Sequence, residues 1–233
     1  MPEITLKELF GWRENILERA PESVAVRTAH ALYESGAVGF HFDDGIEHRS
    51  GITAPIYINV RQAFGKPETR LALSGLLAEY FQTGVIQKPD VVVGVASGGQ
   101  APAQELANQL LLPFGFVRKA AKGHGEKKQV DGVDVSGQRS LIVEDVVNLG
   151  TSSLPAVDAV RTEGGVVEDV LAVVTYGFTK TKEQFASAGV RLHTLTDLHT
   201  IVEVGVVRGD LSRENADKVL MWLTEQDSQN EKI

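Results

Sequence analysis

The chain has 233 residues, a size for one large domain with a substantial core rather than two full domains. Its 42% hydrophobic and 23% charged content, with mean hydropathy −0.07, are ordinary for a globular protein and exclude a disordered chain. A net charge of −8 gives no global field for nucleic acid, and the lack of cysteine excludes disulfides, thiol nucleophiles and cysteine metal sites. The first eight residues lack a basic segment followed by an apolar core, and no apolar run approaches the roughly 20 residues needed to span a bilayer. The expectation is a soluble cytoplasmic protein with no nucleic-acid or membrane partner.

In chain order, Leu9, Trp12, Ile16 and Leu17 share one helical face, and Val24, Ala25, Thr28, Ala31 and Leu32 continue the period to Gly36. Residues 40–46, around Asp43-Asp44-Gly45, and 55–60 read as short strands or a hairpin, and a helix follows Pro67. From residue 89 the pattern alternates. Strands are expected over 91–95, 114–118, 141–143, 167–176 and 190–195, and helices over 101–111, 154–164, 181–188 and 211–222. Such alternation predicts an α/β fold, a mainly parallel twisted sheet flanked by helices. Residues 1–66 are expected to form a helical lead-in and hairpin cap over the ligand edge, although periodicity alone equally allows them to extend the core. Residues 67–226 form the α/β part, 227–233 form a polar tail, and the whole is one domain.

The richest segment is Glu144-Asp145-Val146-Val147-Asn148-Leu149-Gly150-Thr151-Ser152-Ser153, which follows a short apolar strand and precedes a helix. In an open α/β sheet that position binds ligands, and the helix start adds unpaired N–H groups. Gly150 permits close backbone approach, and Thr151, Ser152 and Ser153 can donate to a phosphate. Ionised Glu144 and Asp145 accept but do not donate, which suits a vicinal diol. Together they describe a cradle for a ribose 5-phosphate. The plain alternative is a strand-to-helix turn with a Thr or Ser cap.

Ala96-Ser97-Gly98-Gly99 also lies between an apolar strand and a helix and predicts a second anion loop, with tight strand-to-helix packing as its plain alternative. Between Arg118 and Lys128 stand five Lys or Arg residues and one acid, with His124 among glycines. This reads as a mobile lid in which Lys122 and His124 neutralise a departing pyrophosphate, or as a surface loop. Pro55 and Tyr57 suit either a strand start or an apolar face for a flat heterocycle, with Arg61 supplying charge. His30, His41, His48, His193 and His199 show no metal-ligand spacing.

These motifs resemble the phosphoribosyltransferases that use 5-phosphoribosyl-1-pyrophosphate, and among them the orotate phosphoribosyltransferases. The acidic pair with its glycine-threonine turn is similar to the fingerprint of the superfamily. Ser50-Gly51, Pro55-Ile56-Tyr57 and Arg61, then Arg118-Lys119, Lys122, His124-Gly125 and Asp131-Gly132, resemble the orotate branch. Thr175-Tyr176-Gly177-Phe178 with Lys180 is similar to one bacterial form.

The resemblance implies that Glu144 and Asp145 take the ribose hydroxyls and that the rest of the segment, from Val146 and Val147 through Asn148 and Leu149 to Ser153, holds the 5-phosphate. It makes Ala96, Ser97, Gly98 and Gly99 a pyrophosphate loop, where the family often has a non-proline cis peptide. Ile56 and Tyr57 flank the base, with Asn148, Arg49 and Arg61 beside it. Arg118, Lys122 and His124 serve the neighbouring subunit of a homodimer, and Lys119 serves its own. Magnesium is implied, held by substrate oxygens rather than by a protein metal site.

Four positions depart from the family pattern. Asn148 replaces the usual Thr or Ser, Arg49 replaces Lys, Gly98 replaces the Lys of some members, and Tyr176-Gly177 stands where another form has Asp-Arg. The implied activity is transfer of phosphoribosyl to orotate, giving orotidine 5-phosphate and pyrophosphate for pyrimidine biosynthesis. Transfer to another base, or sensing of phosphoribosyl pyrophosphate without catalysis, are the alternatives.

Overall fold

Three valines in a row, Val91, Val92 and Val93, are each 1% exposed or less, which is possible only for a strand covered on both faces. A computed structural model describes residues 23–47, 53–119 and 128–230. The helix expected near Trp12 lies outside them. The elements are α1 (Val24–Glu34), β1 (Val38–Phe40), β2 (Ile46–Glu47), β3 (Thr53–Ala54), β4 (Ile56–Ile58), α2 (Val60–Gly65) and α3 (Pro67–Gln82). Then follow β5 (Val91–Val95), α4 (Gln100–Leu110), β6 (Phe114–Val117), β7 (Val130–Asp131), β8 (Ser140–Val147) and α5 (Ser153–Thr162). The chain closes with β9 (Asp169–Thr175), α6 (Thr179–Ser187), β10 (Arg191–Asp197), α7 (Leu198–Arg208) and α8 (Arg213–Asn230).

Strands β10, β9, β8, β5, β6 and β7 form one sheet in that order. All neighbours are parallel except β7, which runs antiparallel to β6. The expected mainly parallel α/β sheet is therefore present. Val92, Leu141, Val143 and Leu171 face a core shared with α1, α3, α4, α7 and α8, whereas Val91, Val93, Ile142 and Val170 pack toward α5 and α6. Two-residue alternation along each strand feeds both layers.

The sequence reading needs three corrections. Strand β8 does not stop at Val143: parallel pairing of Glu144 with Ala172, Val146 with Val174 and Val147 with Thr175 carries it through both acids. Residues 198–208, assigned no element from patterning, form α7. Its run of Val and Ile looks β-like, but the Asp197 side chain accepts from the Thr200 N–H at 2.8 Å, and the helix stops at Gly209 with φ +80°. The third concerns the lead-in, which divides. Val26, Ala29 and Leu32 of α1 belong to the core, and a Cβ on Gly205 of α7 would lie 2.1 Å from the Tyr33 hydroxyl, so α1 docks closely rather than capping the ligand edge. The short pairs β1 with β4 and β2 with β3 are what remains near that edge. Helix α8 also continues past 226 to Asn230.

Edge strand β10 is tied to β9 by Asp169, which is 4% exposed. Arg191 donates to it through Nε and Nη2 at 2.7 and 2.8 Å, and His193 Nε2 lies 2.8 Å from Oδ1. Burial pushes the Asp169 carboxyl up, but its bonds to Arg191 and His193 outweigh that and hold it below its ordinary 3.8. The folded chain thus releases this proton more readily than the unfolded chain, so the stabilisation is present above about pH 4 and is lost as pH falls further. Comparing urea unfolding of wild type and Asp169→Asn across pH should show a stability gap at neutral pH that narrows as pH falls below about 4.

Candidate active site

From β5 the chain passes to β6 on one side, while β8 pairs on the other, so the carboxyl ends of β5 and β8 flank a point where strand order reverses. The loop after β5 holds Ala96, Ser97, Gly98 and Gly99, with a cis peptide between Ala96 and Ser97 as the resemblance implied. This loop presses on the end of β8. A Cβ on Gly99 would sit 2.3 Å from the Val143 carbonyl oxygen, and one on Gly98 would sit 2.0 Å from an Asp145 carboxylate oxygen. At Gly99 the obstacle is backbone, so no side chain fits there, whereas at Gly98 a side chain would have to displace the Asp145 carboxylate.

The two acids differ in setting although their carboxyls lie close enough to hydrogen-bond each other. Asp145 lines an open cavity of about 260 Å³. Glu144 is 3% exposed, does not line it, and accepts from the Asp145 N–H at 3.1 Å while bonding the Ser153 hydroxyl. Burial first, and the adjacent Asp145 charge second, push the Glu144 carboxyl well above its ordinary range. Of the two acids expected to face one ligand, Asp145 lines the cavity and Glu144 is buried beside it.

Beyond β8, Gly150 adopts φ +71°, and a Cβ there would lie 2.9 Å from the Phe185 ring. Ser152 stands at the N-cap of α5 without a side-chain cap bond, and Thr151 and Ser152 are exposed. Both residues line the cavity, so their hydroxyls are available to it, whereas the Leu154 N–H at the start of α5 already bonds the Gly150 carbonyl at 3.0 Å.

The cavity gathers Tyr57, Asp145, Val146, Val147, Asn148, Gly150, Thr151, Ser152 and Ser153 from the predicted set. It adds Glu47, Ile58 and Tyr176, none of which was assigned a place in the site. Position at the carboxyl end of β9, beside β8, was the available signal for Tyr176. Tyr176 is buried, donates to the Ile56 carbonyl at 3.4 Å, and has its hydroxyl pKa raised by burial and then by Tyr57. The Thr181 hydroxyl donates to the Asn148 carbonyl at 2.5 Å, fixing the loop from behind.

Other predicted residues lie elsewhere. The Ile56 side chain is fully buried in the core, Leu149 packs against the core, and Arg61 is exposed on α2 away from the cavity. Ala96, Ser97, Gly98 and Gly99 border Asp145 rather than the cavity itself. Arg118 is ion-paired with Asp131 of β7, and Lys119 is exposed. Arg49, Lys122 and His124 fall outside the described residues.

A phosphoribosyl transferase domain model matches residues 64–188. The orotate phosphoribosyltransferase of Staphylococcus saprophyticus is 33% identical over 199 residues, covering 85% of this chain and 98% of that one. The chain belongs to the orotate phosphoribosyltransferase family. Its relative in Lactococcus lactis is 34% identical over 195 residues, 84% of this chain and 93% of that one. The crystal structure of the Aeropyrum pernix orotate phosphoribosyltransferase superposes with TM-score 0.64 at 33% identity, over 75% of this chain and 96% of that one. That of Mycobacterium tuberculosis in complex with 5-phospho-α-D-ribosyl 1-diphosphate gives TM-score 0.59 at 25% identity, over 76% and 98%. As a member of this family the protein is a transferase enzyme.

The two glycines should fail differently. Gly99→Ala meets backbone and should lower unfolding free energy by about 1–3 kcal/mol in urea titrations. Gly98→Ala meets only the Asp145 side chain, so it should cost turnover with little change in the same titration. For Glu144, a raised carboxyl means stability is fullest below its ordinary 4.5 and falls as pH rises through the folded value. Glu144→Gln cannot ionise, so its stability relative to wild type should climb as pH rises above about 4.5, and a flat difference would contradict the assignment.

Proposed function

We propose that the protein transfers the phosphoribosyl group of 5-phosphoribosyl-1-pyrophosphate to orotate, forming orotidine 5-phosphate and pyrophosphate in pyrimidine biosynthesis. The observation that carries this is a single cavity with a carboxylate, Asp145, toward one end and the donor-rich turn Gly150-Thr151-Ser152-Ser153 at the other. Asp145 accepts from the ribose hydroxyls, and the turn, with its Thr151 and Ser152 hydroxyls at the amino end of the α5 dipole, holds the 5-phosphate. Glu144 supports both from behind by joining the Asp145 N–H to Ser153. Tyr57, Ile58 and Tyr176 supply the apolar wall for the flat base.

In the reaction the bond from the anomeric carbon to pyrophosphate breaks and one to the base nitrogen forms, through a transition state with oxocarbenium character. Negative charge grows on pyrophosphate, and we assign its neutralisation to Lys119, Lys122, His124 and Arg118, with the 96–99 loop as its seat. Arg118 must leave Asp131 to take part. Arg118, Lys122 and His124 act across a homodimer in this reading. Arg49 and Arg61 are the candidates for the orotate carboxylate.

Among the described residues no three His, Cys, Asp or Glu side chains gather as a metal site. The donor chemistry fits magnesium that keeps water and takes substrate oxygens, with Asp145 and Glu47 the carboxylates that line the cavity. When bound, it offsets charge on the pyrophosphate and ribose oxygens. We assign the chemistry to the cytoplasm, with which the cysteine-free composition accords.

The assay mixes protein, magnesium, phosphoribosyl pyrophosphate and a panel of bases. Orotate should be consumed and purines spared, and folded protein that consumes no orotate rejects the substrate assignment. In the same assay Lys122→Ala should lower kcat by about 10²-fold while moving the KM for phosphoribosyl pyrophosphate much less.

A further inference from the structure

The carboxyl-terminal helix α8 lies beyond the residues 64–188 matched by the domain model, yet it reaches two walls of the cavity. Trp222 Nε1 donates to the Thr53 carbonyl at 2.9 Å, a bond across 169 positions to the strand that leads into Tyr57 and Ile58. The same indole meets Tyr176 edge-on, with ring centroids 6.1 Å apart at 77°, and Phe178 at 6.3 Å and 65°. Lys218 adds a second hold on the hairpin region, its Nζ 5.9 Å from the centre of the Phe42 ring. Strands β1, β2, β3 and β4 are two or three residues long. Pairs that short are not stable by themselves and sit where tertiary contacts put them.

We propose that Trp222 is a positioning residue for the base-side wall. It joins the hairpin, through Thr53, to the floor of the cavity, through Tyr176, and so sets the width of the slot for the heterocycle without touching it. The phosphate turn is held separately, by Thr181 on Asn148 and by α5, so the effect falls on the base and not on phosphoribosyl pyrophosphate. This inference rests on the orotate reading above.

Trp222→Phe keeps a ring against Tyr176 and removes the donor to Thr53. Steady-state kinetics should show the KM for orotate rising about fivefold while that for phosphoribosyl pyrophosphate stays within about twofold. An unchanged orotate KM, or equal rises in both, overturns the inference while leaving the orotate reading intact. A wild-type protein that turns over no orotate overturns that reading and this one with it. Hydrogen exchange on the free protein reads the tether without substrate: amides of Val38–Phe40 and Ile56–Ile58 should exchange faster in Trp222→Phe, with Val91–Val95 unaffected. Equal exchange in both proteins overturns the tether whatever the kinetics.

Discussion

The contact between the glycine loop after β5 and the end of β8 is the constraint on which the rest depends. Gly99 lies so close to the Val143 carbonyl that no β-carbon fits there, and one at Gly98 would have to displace the Asp145 carboxylate. This closeness makes the two strand ends one surface. It presents Asp145 to the cavity and leaves Glu144, one residue earlier, to be buried against Ser153. The acidic pair thus divides into a group that lines the cavity and a group that braces the turn.

That division has an electrostatic side. Asp145 and the exposed Glu47 are the carboxylates that line the cavity, and a third ionised acid there would add to the repulsion of a dianionic phosphate bound a few residues along. Burial keeps Glu144 out of the cavity lining and pushes its carboxyl up, while its oxygens still hold the Asp145 N–H and Ser153 in place. Within the turn Ser152 forms no side-chain cap bond at the start of α5, whereas the Ser153 hydroxyl is bonded to Glu144 and the Leu154 N–H to the Gly150 carbonyl.

What could be read from sequence follows from how local each signal is. Strands such as Val91–Val95 and helices such as α5 announce themselves, because full burial demands unbroken apolar runs and one-sided burial demands a helical period. The glycine-hydroxyl turn was legible for the same reason, its chemistry lying within four consecutive residues. The acids at 144 and 145 were assigned to the loop because a charged pair ends an apolar run, and only the pairing with β9 shows that the strand continues. Helix α7 was hidden by Val and Ile content that favours strands, and its capping by Asp197 is a weak cue in isolation. Trp222 and Asp227 were illegible in principle. Trp222 reaches Thr53 across 169 positions, and Asp227 accepts from the Thr179 N–H and hydroxyl, both at 2.7 Å, across 48. No local pattern encodes such distances.

The two ends of the sheet are finished in different ways. At one, β7 is only two residues long, too short to template another chain; at the other, β10 bears Arg191, His193, two threonines and Asp197 among its seven residues. Unpaired edge N–H and C=O groups invite a foreign strand when the edge is long, flat and greasy, and neither rim offers that. The same arginine that clasps Asp169 therefore also puts charge on this rim of the sheet.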